Sequence, residues 1–193
     1  MTPAAAASSV ELNTDRLLLR PWQSADAARL QDICQDRLIS HYSPVHVPYS
    51  RADAVAYIEA TNAAWADGSG AAFAATMAGS GIVVASVTLR GFDHVPGLAH
   101  VGFLAAREHR GRGYVTEAVA ALCRWGFEDL RLRRIEWYAE VGNEASRRVA
   151  EKVGFQFEGT LRRRLHHRGE WVDAWLAALL RDDAVAAAGH SGA

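Results

Sequence analysis

What the 193 residues lack narrows the reading first. No stretch approaches the roughly 18 consecutive apolar residues of a membrane-spanning helix, so no span is expected. The Ala/Ser-rich start, Thr2 to Ser9, has neither a basic region nor a long apolar core and does not read as a signal peptide. The only cysteines, Cys34 and Cys123, stand far apart without metal-ligand spacing. They predict no disulfide framework and no metal site, but two small buried hydrophobes in a reducing cytoplasm. Internal repeats and interior linkers are also absent. One domain over residues 11–181 is therefore expected, between disordered tails at 1–10 and 182–193. The net charge of −1 makes no overall case for nucleic acid or a membrane surface.

What is present is unevenly placed. Residues 107–168 hold 14 of the 21 Lys+Arg and 9 of the 22 Asp+Glu, so this third carries about +5 and the remainder about −6. A local positive field on an acidic protein suits a small polyanionic ligand better than a long nucleic acid, although solvated helix faces produce the same asymmetry.

The expected elements run in a mixed order. Glu11 to Trp22 reads as a strand, and Ser24 caps a helix carrying Ala27, Ala28, Leu30, Ile33 and Cys34. A Pro/His/Tyr loop covers His41 to Tyr49, and Ser50 caps a helix over 51–67 with Val55, Ile58, Asn62 and Trp65 at helical spacing. Ala71–Met77 and Ile82–Arg90 flank Ala78-Gly-Ser-Gly81 as a hairpin, and residues 99–104 form the next strand. A helix over about 114–129, a strand over 134–141, a helix over 144–152 stopped by Gly154, and strands at 155–161 and 171–180 complete the chain. The basic run Arg162–Glu170 reads as a mobile connection. This order predicts an α+β fold, a mixed and mostly antiparallel sheet with flanking helices.

The most informative stretch is Arg107-Glu-His-Arg-Gly-Arg-Gly-Tyr-Val-Thr-Glu-Ala118, which joins a strand to a helix. Glycines let backbone N–H groups turn toward an anion, and the helix N-terminus adds partial positive charge. That combination holds phosphate; a turn that only caps a helix is the plainer alternative.

Arg110-Gly-Arg-Gly-Tyr-Val115 resembles the Arg/Gln-x-x-Gly-x-Gly/Ala pyrophosphate loop of the GNAT acyl-CoA N-acyltransferases. Thr116-Glu-Ala118 continues it as in the RimJ/RimL-like group that acetylates N-termini of ribosomal proteins. Asn143-Glu-Ala-Ser146 followed by Lys152-Val-Gly-Phe155 is similar to that group's second signature; Phe157-Glu-Gly159 and Asn13 to Pro21 are also typical. The resemblance spans about residues 11–181. Val115 departs from the usual Gly or Ala, which is harmless if it lies in the first helical turn.

The resemblance implies acetyl-CoA as donor, no metal, and a primary amine as acceptor, either a protein N-terminus or a small molecule. Gly111, Arg112, Gly113, Tyr114, Val115 and Thr116 would cradle the pyrophosphate, with Arg110 and Arg112 adding charge. Phe103 and Leu104 would bond the pantetheine arm, and a backbone N–H near Leu104 would polarise the thioester. Asn143 would contact the pantetheine or simply cap its helix. Ser146 would protonate the departing thiolate or be a plain surface serine. Glu140, His100, Asp93 and His94 are candidate bases. Tyr42, His46 and Tyr49 would line the acceptor side or stabilise their loop. A module that binds acyl-CoA without turnover shares every donor motif, a nucleic-acid binder is disfavoured, and Trp171 and Trp175 suit a homodimer contact as well as the core.

Overall fold

The computed structural model describes residues 10–92 and 95–183. The two tails expected to be disordered lie almost wholly outside these residues, as do the candidate bases Asp93 and His94. The single strand expected over Glu11–Trp22 is two, Leu12–Asn13 (β1) and Leu17–Pro21 (β2). The Thr14 hydroxyl accepts from the Leu17 amide at 2.9 Å and ties the chain into a turn between them.

The helix expected after Ser24 opens as one 3-10 turn, Ser24–Asp26, before α1 (Ala27–Cys34). Asp26, not Ser24, organises this start. Its carboxylate accepts from the Gln23 amide at 2.9 Å and from both terminal nitrogens of Arg20 at 2.7 and 2.9 Å. Part of the expected His41–Tyr49 loop is the end of an additional short helix, α2 (Arg37–Tyr42). Asp36 starts it by accepting from the amides of Leu38 and Ile39, which have no intrahelical acceptor. Helix α3 (Arg51–Asp67) has the expected Ser50 cap, with Asp53 closing a reciprocal box, and stops at Gly68 with φ 76°. Its inner face is Ala54, Ile58 and Trp65, whereas Val55 and Asn62 face outward.

The remaining elements are β3 (Gly70–Met77), β4 (Val83–Arg90), β5 (Leu98–Ala105), α4 (Tyr114–Glu128), β6 (Arg134–Glu140), α5 (Glu144–Val153), β7 (Gln156–His167) and β8 (Glu170–Leu180). One eight-stranded sheet runs in the order β1-β2-β3-β4-β5-β6-β8-β7. Every pairing is antiparallel except β5 with β6, which α4 joins by a crossover. Side-chain alternation gives the sheet two apolar faces. Phe73, Val87, Val101, Ile135 and Trp137 pack with Val119 and Leu122 of α4. Ala72 and Ala74 pack with Leu30, Ile33 and Ile58 of α1 and α3 on the other face.

The expected mobile connection Arg162–Glu170 is largely strand, because β7 continues to His167. Leu161 stands opposite Ala174 and Leu165 opposite Val172, so the three arginines between them bulge out of register. The Arg163 amide donates to Asp173 at 2.8 Å and holds the bulge. Trp175 is buried in the core, while Trp171 is exposed.

Candidate active site

Strands β5 and β6 pair from Leu98 opposite Arg134 to Val101 opposite Trp137, and no further. From Gly102 to Ala105, β5 is bonded to β4 alone, and β6 continues to Glu140 bonded to β8. The strands thus splay, and a cavity of about 400 Å³ occupies the cleft side. Phe103, Leu104 and Ala105 of β5 line one wall, Asn143 and Ser146 of the α5 start another, and Leu38, Ile39 and Tyr42 of α2 a third. Its far end is the glycine turn, where Arg110, Gly111, Gly113, Tyr114, Val115 and Thr116 reach it.

The turn is built for an anion. After one 3-10 turn, Arg107–His109, Gly111 and Gly113 adopt φ 75° and 81°, and α4 begins at Tyr114. These left-handed values are cheap only for glycine, and successive residues of this kind turn amides into a concavity. The first amides of α4 have no intrahelical acceptor; Glu117 is the first to find one, the Gly113 carbonyl, at 3.0 Å. Val115 sits inside the first turn of α4, where its side chain meets no backbone strain.

The arginines act differently from one another. Arg110 donates to Asp36 at 2.9 Å and to the Ala105 carbonyl at 3.2 Å, so its charge is paired and it ties the turn to α2 and β5. Arg112 is exposed and does not line the cavity. A residue unremarked in the sequence, Arg16, clamps the turn instead. It ion-pairs with Glu117 through Nε at 2.6 Å, donates to the Arg112 carbonyl at 3.0 Å, and lies 4.8 Å from the Tyr114 ring centre. Thr14 donates to the same carboxylate at 2.6 Å. Burial pushes the Glu117 carboxyl up, but the hydrogen bonds from Thr14 and Arg16 outweigh it and hold the group below the usual carboxylate range.

At the other end, Asn143 caps α5 by accepting from the Ser146 amide at 3.2 Å. The Ser146 hydroxyl oxygen accepts from the indole Nε1 of Trp137 at 3.0 Å. Trp137 is 1% exposed and stands at the last position of β6 that pairs with β5.

The opposite face of the splayed strands is polar. His100 and Glu136 are register partners there, with Nδ1 3.5 Å from Oε2. Tyr138 donates to the same carboxylate at 2.5 Å, Arg134 donates to its other oxygen at 2.7 Å, and Arg164 from the β7 bulge lies 5.1 Å from the Tyr138 ring centre. Burial raises the Glu136 carboxyl, yet Tyr138 and Arg134 hold it below the ordinary range. Glu140 lies at the end of β6, 3.4 Å from His167 Nδ1, and does not line the cavity. His167 Nε2 reaches the Ser43 carbonyl at 3.1 Å, and the Tyr42 hydroxyl donates to the Gly142 carbonyl at 3.2 Å, so the end of α2 is fastened from two sides.

Of the three residues expected on the acceptor side, Tyr42 alone reaches the cavity. The side chain of His46 is 82% exposed and pairs with Asp53 at 2.6 Å. Tyr49 is 7% exposed and packs in the core under α1 and α3, because its loop folds inward onto apolar neighbours. Among the described residues there is no group of three or more His, Cys, Asp or Glu able to hold a metal, and no helix is long and apolar enough to cross a membrane.

The sequence matches the Acetyltransferase (GNAT) domain over residues 16–156. YdaF of Bacillus subtilis (strain 168), named as a ribosomal N-acetyltransferase, is 37% identical over 101 residues, 52% of this chain. That match spans 55% of the relative's length. A Vibrio cholerae structure named as a ribosomal-protein-serine acetyltransferase superposes with a TM-score of 0.81 at 25% identity, covering 91% of this chain and 99% of the other. Mycobacterium smegmatis RimJ, solved with a CoA-disulfide, shares the fold with a TM-score of 0.78 at 24% identity, each chain covered to 94%. The splayed parallel pair, the glycine nest and the sequence match agree: this chain belongs to the GNAT acetyltransferase family.

Proposed function

We propose that the protein moves an acetyl group from acetyl-CoA to a primary amine by direct attack in a ternary complex. The observation that carries this is the parallel β5–β6 pair that parts after Val101 and Trp137 and leads to the glycine nest at the α4 start. The nest amides of Gly111–Thr116 take the pyrophosphate, where the α4 N-terminus favours an anion. The main chain of Phe103 and Leu104, on the β5 segment unpaired with β6, bonds the pantetheine, and an amide near Leu104 faces the thioester oxygen as it gains charge. The donor residues present therefore fit coenzyme A.

The amine nitrogen forms its bond to the thioester carbon, and the carbon–sulfur bond breaks with its electrons going to sulfur. Ser146 gives its hydroxyl proton to that sulfur, and the proton lost by the amine restores it through solvent. A thiol with pKa near about 8.5 leaves readily, so the serine's help is modest. The ammonium proton leaves on the polar face to Glu140 or His100; Glu140→Gln and His100→Gln variants assign the acid limb of the rate profile, where a base is lost by protonation. Neither cysteine lines the cavity, and burial pushes the Cys34 thiol up to about 11, which supports direct attack over an acyl-enzyme.

The acceptor is a protein N-terminus, for which the ribosomal proteins in the relatives' names are the first candidates, or a small amine, and the free thiols suit a cytoplasmic setting. Measuring thiol release from acetyl-CoA over ribosomal N-terminal peptides, amino acids, polyamines and aminoglycosides tests the reading. Stoichiometric thiol and acetyl-amine formation with one class is expected. CoA binding without turnover of any amine would instead leave a sensing module.

A further inference from the structure

We infer that Trp137 is a positioning residue that aims the Ser146 hydroxyl proton into the donor cavity. The inference rests on the acid role proposed for Ser146 and concerns how that proton is directed. The indole Nε1 carries a hydrogen and no available lone pair, so in its 3.0 Å contact with Ser146 Oγ it must donate. A serine hydroxyl has two lone pairs and one hydrogen. With one lone pair held by the indole, the hydrogen takes one of the two remaining tetrahedral positions, on the side of the oxygen turned away from Trp137. That side is the cavity, since Ser146 lines it and Trp137 lies beneath in the core.

Two further features make the direction durable. Trp137 is 1% exposed and sits at the last β5–β6 register pair, so the donor is fixed by the sheet at the point where the strands part. The serine backbone is fixed from the other direction, because its amide donates to Asn143 Oδ1 at 3.2 Å. An accepted hydrogen bond also polarises the hydroxyl, making it a better donor than a serine facing only solvent. Trp137 touches neither reacting atom; it acts through the serine.

The test compares Trp137→Phe, Ser146→Ala and the double variant, with kcat, acetyl-CoA KM and CoA binding measured separately. Trp137→Phe is expected to lower kcat by about fivefold with KM and CoA affinity unchanged, the size expected for misdirecting a modest general acid. The double variant is expected to match Ser146→Ala alone. Because Phe leaves a gap in the core, a second variant replaces Trp137 by its benzothienyl isostere, which keeps the shape and lacks the N–H; it should reproduce the kcat loss with unchanged melting. Normal kcat in the isostere, or an equal further loss when Trp137→Phe is added to Ser146→Ala, overturns the inference. Normal kcat in Ser146→Ala overturns the serine's acid role instead.

Discussion

Arg16 and Glu117, 101 residues apart, close on each other at 2.5–2.6 Å through two guanidinium nitrogens, and the pair locks the strand β2 start to the first turn of α4. Because the same guanidinium holds the Arg112 carbonyl, it holds in place the glycine turn that leads into α4. Arg16→Ala should therefore raise the acetyl-CoA KM by about fivefold, about 1 kcal/mol, while leaving kcat unchanged. Steady-state kinetics with acetyl-CoA varied checks this; a fall in kcat at constant KM would contradict it.

The depressed carboxyl of Glu117 gives the clamp an acid limit. A carboxylate whose folded pKa lies below its unfolded value of about 4.3 contributes stability that is complete above the unfolded value. The contribution drains away as pH falls through the lower folded value. Glu117→Gln should be less stable than the parent at neutral pH and lose less on acidification, so the two melting curves converge below about pH 4. Thermal melts across that range measure it.

Gly111 and Gly113 share a left-handed backbone but not their surroundings. A Cβ on Gly113 would stand 3.3 Å from Arg16 Nη2, whereas one on Gly111 meets nothing within 4 Å. Alanine at either position costs about 1 kcal/mol of backbone strain. Gly113→Ala should also shift the arginine by a few tenths of an ångström within its clamp and weaken CoA binding more than Gly111→Ala does. Calorimetric titration with CoA ranks the two.

Asp36 serves two elements at once, accepting from the first amides of α2 and from Arg110. Asp36→Ala removes both roles and should destabilise the fold by about 2 kcal/mol, more than the loss of a helix cap alone. Asp36→Asn keeps a capping oxygen and should recover about half of that. Chemical denaturation of the three proteins supplies the comparison.

Gly126 is a packing glycine on α4. An added Cβ would come within 3.0 Å of methyl carbons of Leu132 and Leu89 in the core. Gly126→Ala gains about 1 kcal/mol of helix propensity and loses about 1–3 kcal/mol to overpacking, so a net drop in melting temperature is expected.

Features with a local signature were legible in the sequence. Ser50 at the α3 start, Gly154 after α5 and the glycines at 111 and 113 each announce a backbone conformation by residue type alone. Two kinds of feature were not. Helix α2 is six residues followed closely by Pro44, too short for a periodic apolar pattern to rise above the surrounding turn residues. The bulge at Arg162–Arg164 breaks the two-residue alternation by which a strand is recognised, so the end of β7 beyond Leu161 reads as a connection. In the site, the nest was readable, but its clamp depended on a contact across 101 residues. The two readings of Tyr49 stay open in the sequence because a polar, proline-bearing loop gives no hint that one of its aromatics turns into the core.

The parting of β5 and β6 has a consequence for how such an enzyme diversifies. Where β5 lacks its second neighbour, from Gly102 to Ala105, whatever docks is read by peptide groups that every residue type carries. Side chains on the polar face, Glu136, Tyr138 and Arg164 among them, are spared that task. In the proposed reaction the donor would be recognised through a shape common to any sequence, and the amine through chemistry free to change. Substitutions that retune the amine would then accumulate without disturbing the thioester.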